Sequence, residues 1–186
     1  MQFFNRSLPL VALGLTTFQL AFAKVRLPKV FASHMVLQRS KPVPVWGWAE
    51  AGEKVTVTFS TQTKTVQTAP DGRWQVKLDP MEAGGPYQLT VRGNTTALTL
   101  DDVLLGEVWI CSGQSNMEWR LAQVTNAPAE IASARYPQIR QFLVKKALSL
   151  TPKTNLDGTW SVCSPETAPN FTAVGYFFGR ELTKEL

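Results

Sequence analysis

Ser115 is the residue whose surroundings most directly suggest chemistry. It lies in Ser112-Gly113-Gln114-Ser115-Asn116-Met117-Glu118, a polar, glycine-bearing stretch that follows the apolar run Trp109-Ile110-Cys111. A serine hydroxyl placed after a strand can attack a carbonyl carbon while its own backbone N–H faces the oxyanion that forms. Open α/β sheets place their ligands in polar loops of this kind, at the ends of inner strands. The pattern is not the Gly-x-Ser-x-Gly elbow, because Met117 stands where the second glycine would be. Taken alone, one serine in a turn also fits a structural role, bonding a neighbour's N–H.

A serine nucleophile needs a base, and the chain has a single histidine, His34, early in the sequence. One histidine also excludes a His-rich metal site. The two cysteines, Cys111 and Cys163, allow one bridge at most. Nothing in the sequence brings their Cα atoms within bridging range. Two buried free thiols are the expectation, Cys111 in an apolar strand and Cys163 in a loop-like segment.

Three stretches must carry these residues. Residues 1–23 hold one cation, an apolar run from Leu8 to Leu20 and the small-x-small site Ala21-Phe22-Ala23. That is the pattern of a signal peptide. It implies export to the periplasm or the extracellular space. No cysteine follows the cleavage site to carry a lipid, so no membrane anchor is expected after cleavage.

Residues 24–102 read as a β-sandwich domain. Strands are expected at Val43–Trp48, Lys54–Ser60, Arg73–Leu78, Tyr87–Arg92 and Thr95–Leu100. Turn signals rich in Gly, Pro and Asp separate them. In Val55-Thr56-Val57-Thr58-Phe59 the apolar residues alternate with threonines, the period of a strand with one buried face. Trp46 and Trp48 share a strand face; core packing is the expectation, with a sugar-stacking platform as the alternative. Asp101-Asp102 reads as a turn and linker.

Residues 103–186 have a different texture. Val103 to Ile110 suits a strand buried on both faces, as in a parallel α/β sheet. A helix is expected over Pro128–Ala134, a strand over Ile139–Val144 and a longer helix over Phe171–Leu186. In the last, Phe171, Val174, Phe178 and Leu182 fall at helical spacing. Asn170 or Thr172 is placed to cap it. Trp109 and Trp160 are expected in the core. The long helix runs to the last residue without a stop signal, so the α/β part reads as incomplete.

Composition narrows the class. Hydrophobic residues make up 44% and charged residues 18%, which excludes a disordered chain. The net charge of +5 is too small and scattered for nucleic-acid binding, which needs a clustered basic stripe. Residues 24–100 carry ten Lys and Arg against five Asp and Glu. That excess can suit an acidic glycan, although ordinary solubility explains it as well.

The stretch Gly106-Glu107-Val108-Trp109-Ile110-Cys111-Ser112-Gly113-Gln114-Ser115-Asn116-Met117-Glu118 resembles the signature of the sialate O-acetylesterases, within the broader SGNH hydrolases. Further blocks resemble the same family in the same order. They are His34-Met35-Val36-Leu37-Gln38-Arg39, Val43-Pro44-Val45-Trp46-Gly47-Trp48-Ala49, Asp71-Gly72-Arg73-Trp74, Trp160-Ser161-Val162-Cys163-Ser164-Pro165-Glu166 and Phe171 to Arg180. The resemblance implies a β-sandwich followed by part of an SGNH-type, flavodoxin-like α/β hydrolase domain. It implies a serine esterase that removes O-acetyl groups from sialic acids or related sugars, with no metal or organic cofactor. Ser115 matches the nucleophile and gives a backbone oxyanion donor; Gln114, Asn116 and Glu118 are expected to support the loop or the substrate. The family's Asp and His partners come from later segments with no match here, and His34 aligns with the β region. The chain alone is therefore expected to be weak or inactive. A glycan-binding module and a fragment that depends on a partner are the alternatives.

Overall fold

The computed structural model describes residues 24–185; the expected signal segment, residues 1–23, lies outside the described residues. Seven strands fill the first half: β1 (Val36–Gln38), β2 (Val43–Trp48), β3 (Lys54–Phe59), β4 (Gln62–Gln67), β5 (Arg73–Leu78), β6 (Gly84–Arg92) and β7 (Ala97–Gly106). Five of them form one mixed sheet in the order β1-β7-β6-β3-β4, and β2 pairs with β5 in an antiparallel ribbon. Alternation explains which side chains meet. Val55, Val57 and Phe59 of β3 point inward, as do Val43 and Val45 of β2 and Trp74, Val76 and Leu78 of β5. With Leu89, Val91, Val103 and Leu105 they make one apolar cluster shared by sheet and ribbon. Gly47 is required where it stands: a Cβ there would collide with the Arg26 carbonyl oxygen and approach Trp74 Cζ2 to 2.8 Å.

The second half holds α1 (Ser115–Glu118), α2 (Ala127–Ser133), β8 (Tyr136–Val144), β9 (Gly158–Cys163) and α3 (Ala173–Glu185). A second cluster, built on Leu121, Ala134, Cys163, Phe171 and Tyr176, holds these elements together. The whole is a mixed, sheet-rich arrangement with few helices. No helix among the described residues is long and apolar enough to cross a membrane.

Several expectations are corrected here. β7 runs through Asp101-Asp102 to Gly106, so the first sheet crosses the expected boundary after residue 102 and these aspartates are not a linker. Gly84-Gly85-Pro86 belongs to β6 and not to a turn before it. Val108, Trp109 and Ile110 follow β7 as extended, exposed chain and do not continue a buried strand; Ile110 is 91% exposed. Trp109 is therefore not core. β8 pairs antiparallel with β9, so among the described residues this half contains no parallel sheet. Cys163 ends β9 and is buried, whereas Cys111 is exposed in the segment after β7; both thiols are free. The stripe expected along α3 is divided: Phe171, just before the helix, is buried in the second cluster as expected. Tyr176 and Ala173 are buried, while Val174 and Phe178 face solvent.

A β-bulge joins the two halves. Between Tyr87↔Val103 and Leu89↔Leu100 the single residue Gln88 faces both Asp101 and Asp102. The extra residue is taken up at Asp102, whose φ is +55°. Asp is one of the few side-chain-bearing residues that enter this left-handed region with little penalty. Bulges of this kind re-aim a side chain. Here Asp102 accepts two hydrogen bonds from Arg140 of β8, at 2.8 and 3.1 Å, and lies 2.6 Å from His34 Nδ1. A second tie runs from Trp160 Nε1 to the Val30 carbonyl, 2.8 Å, and a third pairs Lys29 with Asp157.

Candidate active site

The segment from Glu107 to Trp119 leaves the first sheet, crosses α3 and turns at Ser115. Its start is pinned to β1. Arg39 and Gln38 hold the Glu107 carboxylate at 2.6 and 3.1 Å, and the Val108 N–H donates to Gln38 Oε1 at 3.0 Å. Those donors, the Gln38 amide first, hold the Glu107 carboxyl below the usual carboxylate range. The chain then lies against α3. Trp109 meets Phe178 edge-on with ring centroids 5.1 Å apart. Cys111 packs on Gly175, where an added Cβ would stand 3.1 Å from its sulfur and 2.7 Å from Thr172 Cγ2. A larger residue at 175 would push the segment off the helix.

Ser115 opens the single turn of α1, with Gln114 as the residue before it. The Met117 N–H donates to the Gln114 carbonyl at 2.9 Å, which closes the turn. Ser115 is exposed, as are Gln114, Asn116 and Glu118. Glu118 pairs with Lys146 at 2.6 Å on the surface.

Thr172, expected only as a helix cap, and Gln141 fix the far side of this turn. The Thr172 hydroxyl donates to the Met117 carbonyl at 2.7 Å, and the Thr172 N–H donates to Gln141 Oε1 on β8 at 3.0 Å. Thr172 directly precedes α3 and its carbonyl accepts from the Tyr176 N–H at 2.9 Å, while its hydroxyl serves the Ser115 turn. Asn170, the other expected cap, accepts from Arg120 at 3.1 Å. Two backbone bonds reinforce the seam, Leu121 N–H to the Phe171 carbonyl at 2.9 Å and Ala173 N–H to the Trp119 carbonyl at 2.8 Å. The sequence marks Thr172 only as a candidate cap within a family-like block, and Gln141 only as part of the strand expected over Ile139–Val144.

His34 does not join Ser115. Its ring nitrogen is engaged with Asp102, and its backbone φ is +70°. No described hydrogen bond links the Ser115 hydroxyl to a histidine or a carboxylate. Among the described residues no cluster of His, Cys, Asp and Glu is arranged to hold a metal ion. The turn offers a free hydroxyl and backbone N–H groups on a braced loop, which suits attack on a carbonyl once a base is supplied.

Known proteins resemble this chain over most of its length. No protein-family model matches the chain. Sialate O-acetylesterase from Rattus norvegicus is 36% identical over an alignment covering 84% of this chain and 33% of the relative. The Homo sapiens protein of the same name is 34% identical, with 82% and 34% covered. Over most of its own length the chain is similar to sialate O-acetylesterases. It spans about a third of the length of the curated relatives it matches. Among solved structures, a carbohydrate acetylesterase from Xanthomonas citri superposes with a TM-score of 0.86 at 44% identity, covering 87% of this chain and 38% of that one. The likeness rests on the combination of fold and sequence, and not on the Ser115 turn alone.

Proposed function

We propose that the chain carries the nucleophile-bearing part of a carbohydrate O-acetylesterase acting on O-acetylated sialic acids or related sugars. The observation that supports this most is the likeness to sialate O-acetylesterases across most of the chain. In this reading the two sheets of residues 24–106 act as a β-sandwich, and residues 107–185 contribute to an SGNH-type hydrolase domain. Residues 1–23 would direct export.

Ser115 Oγ attacks the acetyl carbonyl carbon and its proton passes to a base. The tetrahedral oxyanion is held by the Ser115 backbone N–H. Collapse expels the sugar hydroxyl, which takes up the proton, and leaves an acetyl-serine. Water then attacks this ester, releasing acetate and restoring the hydroxyl. Gln114, Asn116 and Glu118 stand beside the reacting group and would shape the loop or the sugar pocket. The base and its carboxylate come, in this reading, from the parts of the family's length that this chain does not span.

A partner-dependent form of the same reading has an observation of its own. Val108, Trp109, Ile110, Trp119, Val174 and Phe178 form exposed apolar surface around the Ser115 segment. Such surface favours covering by further polypeptide.

The test is hydrolysis of p-nitrophenyl acetate and of O-acetylated sialic acid, first by the chain alone and then after mixing with a polypeptide equivalent to the remainder of a full-length relative. Little turnover alone, activity on mixing, and loss of that activity in Ser115→Ala are expected. Activity that survives Ser115→Ala overturns the assignment of the nucleophile.

A further inference from the structure

A second surface, on the outer face of the β2–β5 ribbon, is built from side chains that the Ser115 turn does not use. Alternation turns Val43, Val45, Trp74, Val76 and Leu78 into the core and leaves Trp46 and Trp48 on the opposite side, with Arg73, Gln75 and Lys77. The antiparallel register sets Trp46 across from Gln75 and Trp48 across from Arg73. Side chains directly opposite on one face are neighbours. Both indoles are half-buried: Trp46 leans edge-on against Phe31 with centroids 4.6 Å apart, and each keeps part of its surface open. A cleft of about 240 Å³ opens here, lined by Trp46, Trp48, Arg73, Gln75 and Thr154.

We propose that this cleft binds a carboxylated sugar. Indole faces offer apolar surface for the C–H face of a pyranose ring, with a polar edge beside it. Gln75 supplies an amide that both donates to and accepts from hydroxyls. Arg73 supplies the planar guanidinium that matches a carboxylate with two parallel hydrogen bonds.

The charge of the surroundings selects an acidic ligand over a neutral one. Arg26 lies over the Trp48 ring, 5.9 Å from its centroid, and Lys77 extends the same face. Asp71 is fixed beside Arg73, its Oδ1 accepting from the Arg73 backbone N–H at 3.0 Å, but the two side chains meet only loosely, 3.7 Å apart and both more than 60% exposed. A pair so open to water is worth little and yields readily to a ligand. The ten Lys and Arg against five Asp and Glu in residues 24–100 add to the same field. This cleft stands apart from the Ser115 chemistry and requires no base.

The experiment is a calorimetric titration of the full chain with 3′-sialyllactose, and with lactose as the neutral counterpart. Sialyllactose is expected to bind about tenfold more tightly than lactose. Arg73→Gln is expected to abolish that preference, and Gln75→Ala and Trp48→Ala to weaken both sugars. Arg73 and Gln75 are exposed, so their variants keep the fold, as circular dichroism will show, even if Trp48→Ala does not. No binding of sialyllactose up to about 10 mM, equal binding of lactose, or unchanged binding by folded Arg73→Gln and Gln75→Ala overturns the proposal. Binding that is lost in Ser115→Ala overturns it too, because the sugar would then occupy the esterase turn.

Discussion

Arg140 reaches from β8 to grip Asp102 of β7 with two hydrogen bonds, while its own side chain is only 5% exposed. This grip spans the two halves of the molecule, and the β8 that carries it also carries Gln141, the acceptor behind the Ser115 turn. Replacing Arg140 by Met removes both bonds and leaves the carboxylate half-covered. Asp102 keeps access to water at 32% exposure, so the cost falls below that of breaking a fully buried pair. A loss of about 1–3 kcal/mol is expected, read from urea denaturation. A double-mutant cycle with Asp102→Asn should show strong coupling between the two sites.

The same pair sets an acid limit. The Arg140 hydrogen bonds, ahead of the His34 contact, bring the Asp102 pKa down to about 2, against the opposing effect of burial. In the unfolded chain an aspartate titrates near ~3.9. The folded state therefore holds this proton less tightly than the unfolded one. The stabilisation is complete above pH ~4 and is lost as the pH falls toward ~2. Asp102→Asn should be less stable than the parent at neutral pH, and the gap should narrow as the pH drops through that window. Urea midpoints measured from pH 6 down to ~2 test this; a constant gap would count against it.

Thr172→Val removes the hydroxyl that holds the Met117 carbonyl while keeping the side-chain shape. The expected loss is about 1 kcal/mol in stability, with faster amide exchange confined to the Ser115 turn and its neighbours. Thr172→Ser keeps the donor and should restore protection. Uniform exchange across the chain in Thr172→Val would show that the bond does not brace the turn.

The cysteines should differ sharply in reactivity. Cys111 is exposed and Cys163 buried, and burial pushes the Cys163 thiol pKa upward. A thiol must ionise to react with a disulfide reagent. One equivalent of 5,5′-dithiobis(2-nitrobenzoate) should react in the folded chain and two in denaturant, with the first label mapping to Cys111. Protection of both thiols in the folded chain would contradict the exposed placement of Cys111.

The sequence revealed the first half of the fold more clearly than the second. β2 and β5 fall where their alternation placed them, and β3 runs one residue short of the expected end, because one face of each is buried. β4 escaped notice because it is a partly exposed edge strand of Gln, Thr and Lys with a single apolar residue. The apolar run after Gly106 misled for a physical reason. Hydrophobicity alone does not distinguish a strand enclosed by neighbours from a segment laid over a helix, with Trp109 edge-on to Phe178 and Ile110 facing outward. The stripe leading into α3 held only in part, since Phe171 enters the core with Tyr176 while Val174 and Phe178 are exposed. The Ser115 loop was legible as a local pattern. Its supports were not, because Thr172 and Gln141 lie far along the chain and reach it only after folding. The bulge that aims Asp102 at Arg140 left no mark beyond two adjacent aspartates.

That separation has a consequence for biosynthesis. The Met117 carbonyl of the Ser115 turn is held by Thr172, 55 residues downstream of Met117, and the flanking Leu121 N–H by the Phe171 carbonyl. Neighbouring hairpins of the first sheet, such as β3 with β4, pair across a short turn and can assemble early as the chain emerges. The serine loop has to wait. Until α3 has left the ribosome and docked, the hydroxyl at position 115 sits on an unbraced segment, so the geometry of this turn is among the last features of the region to form.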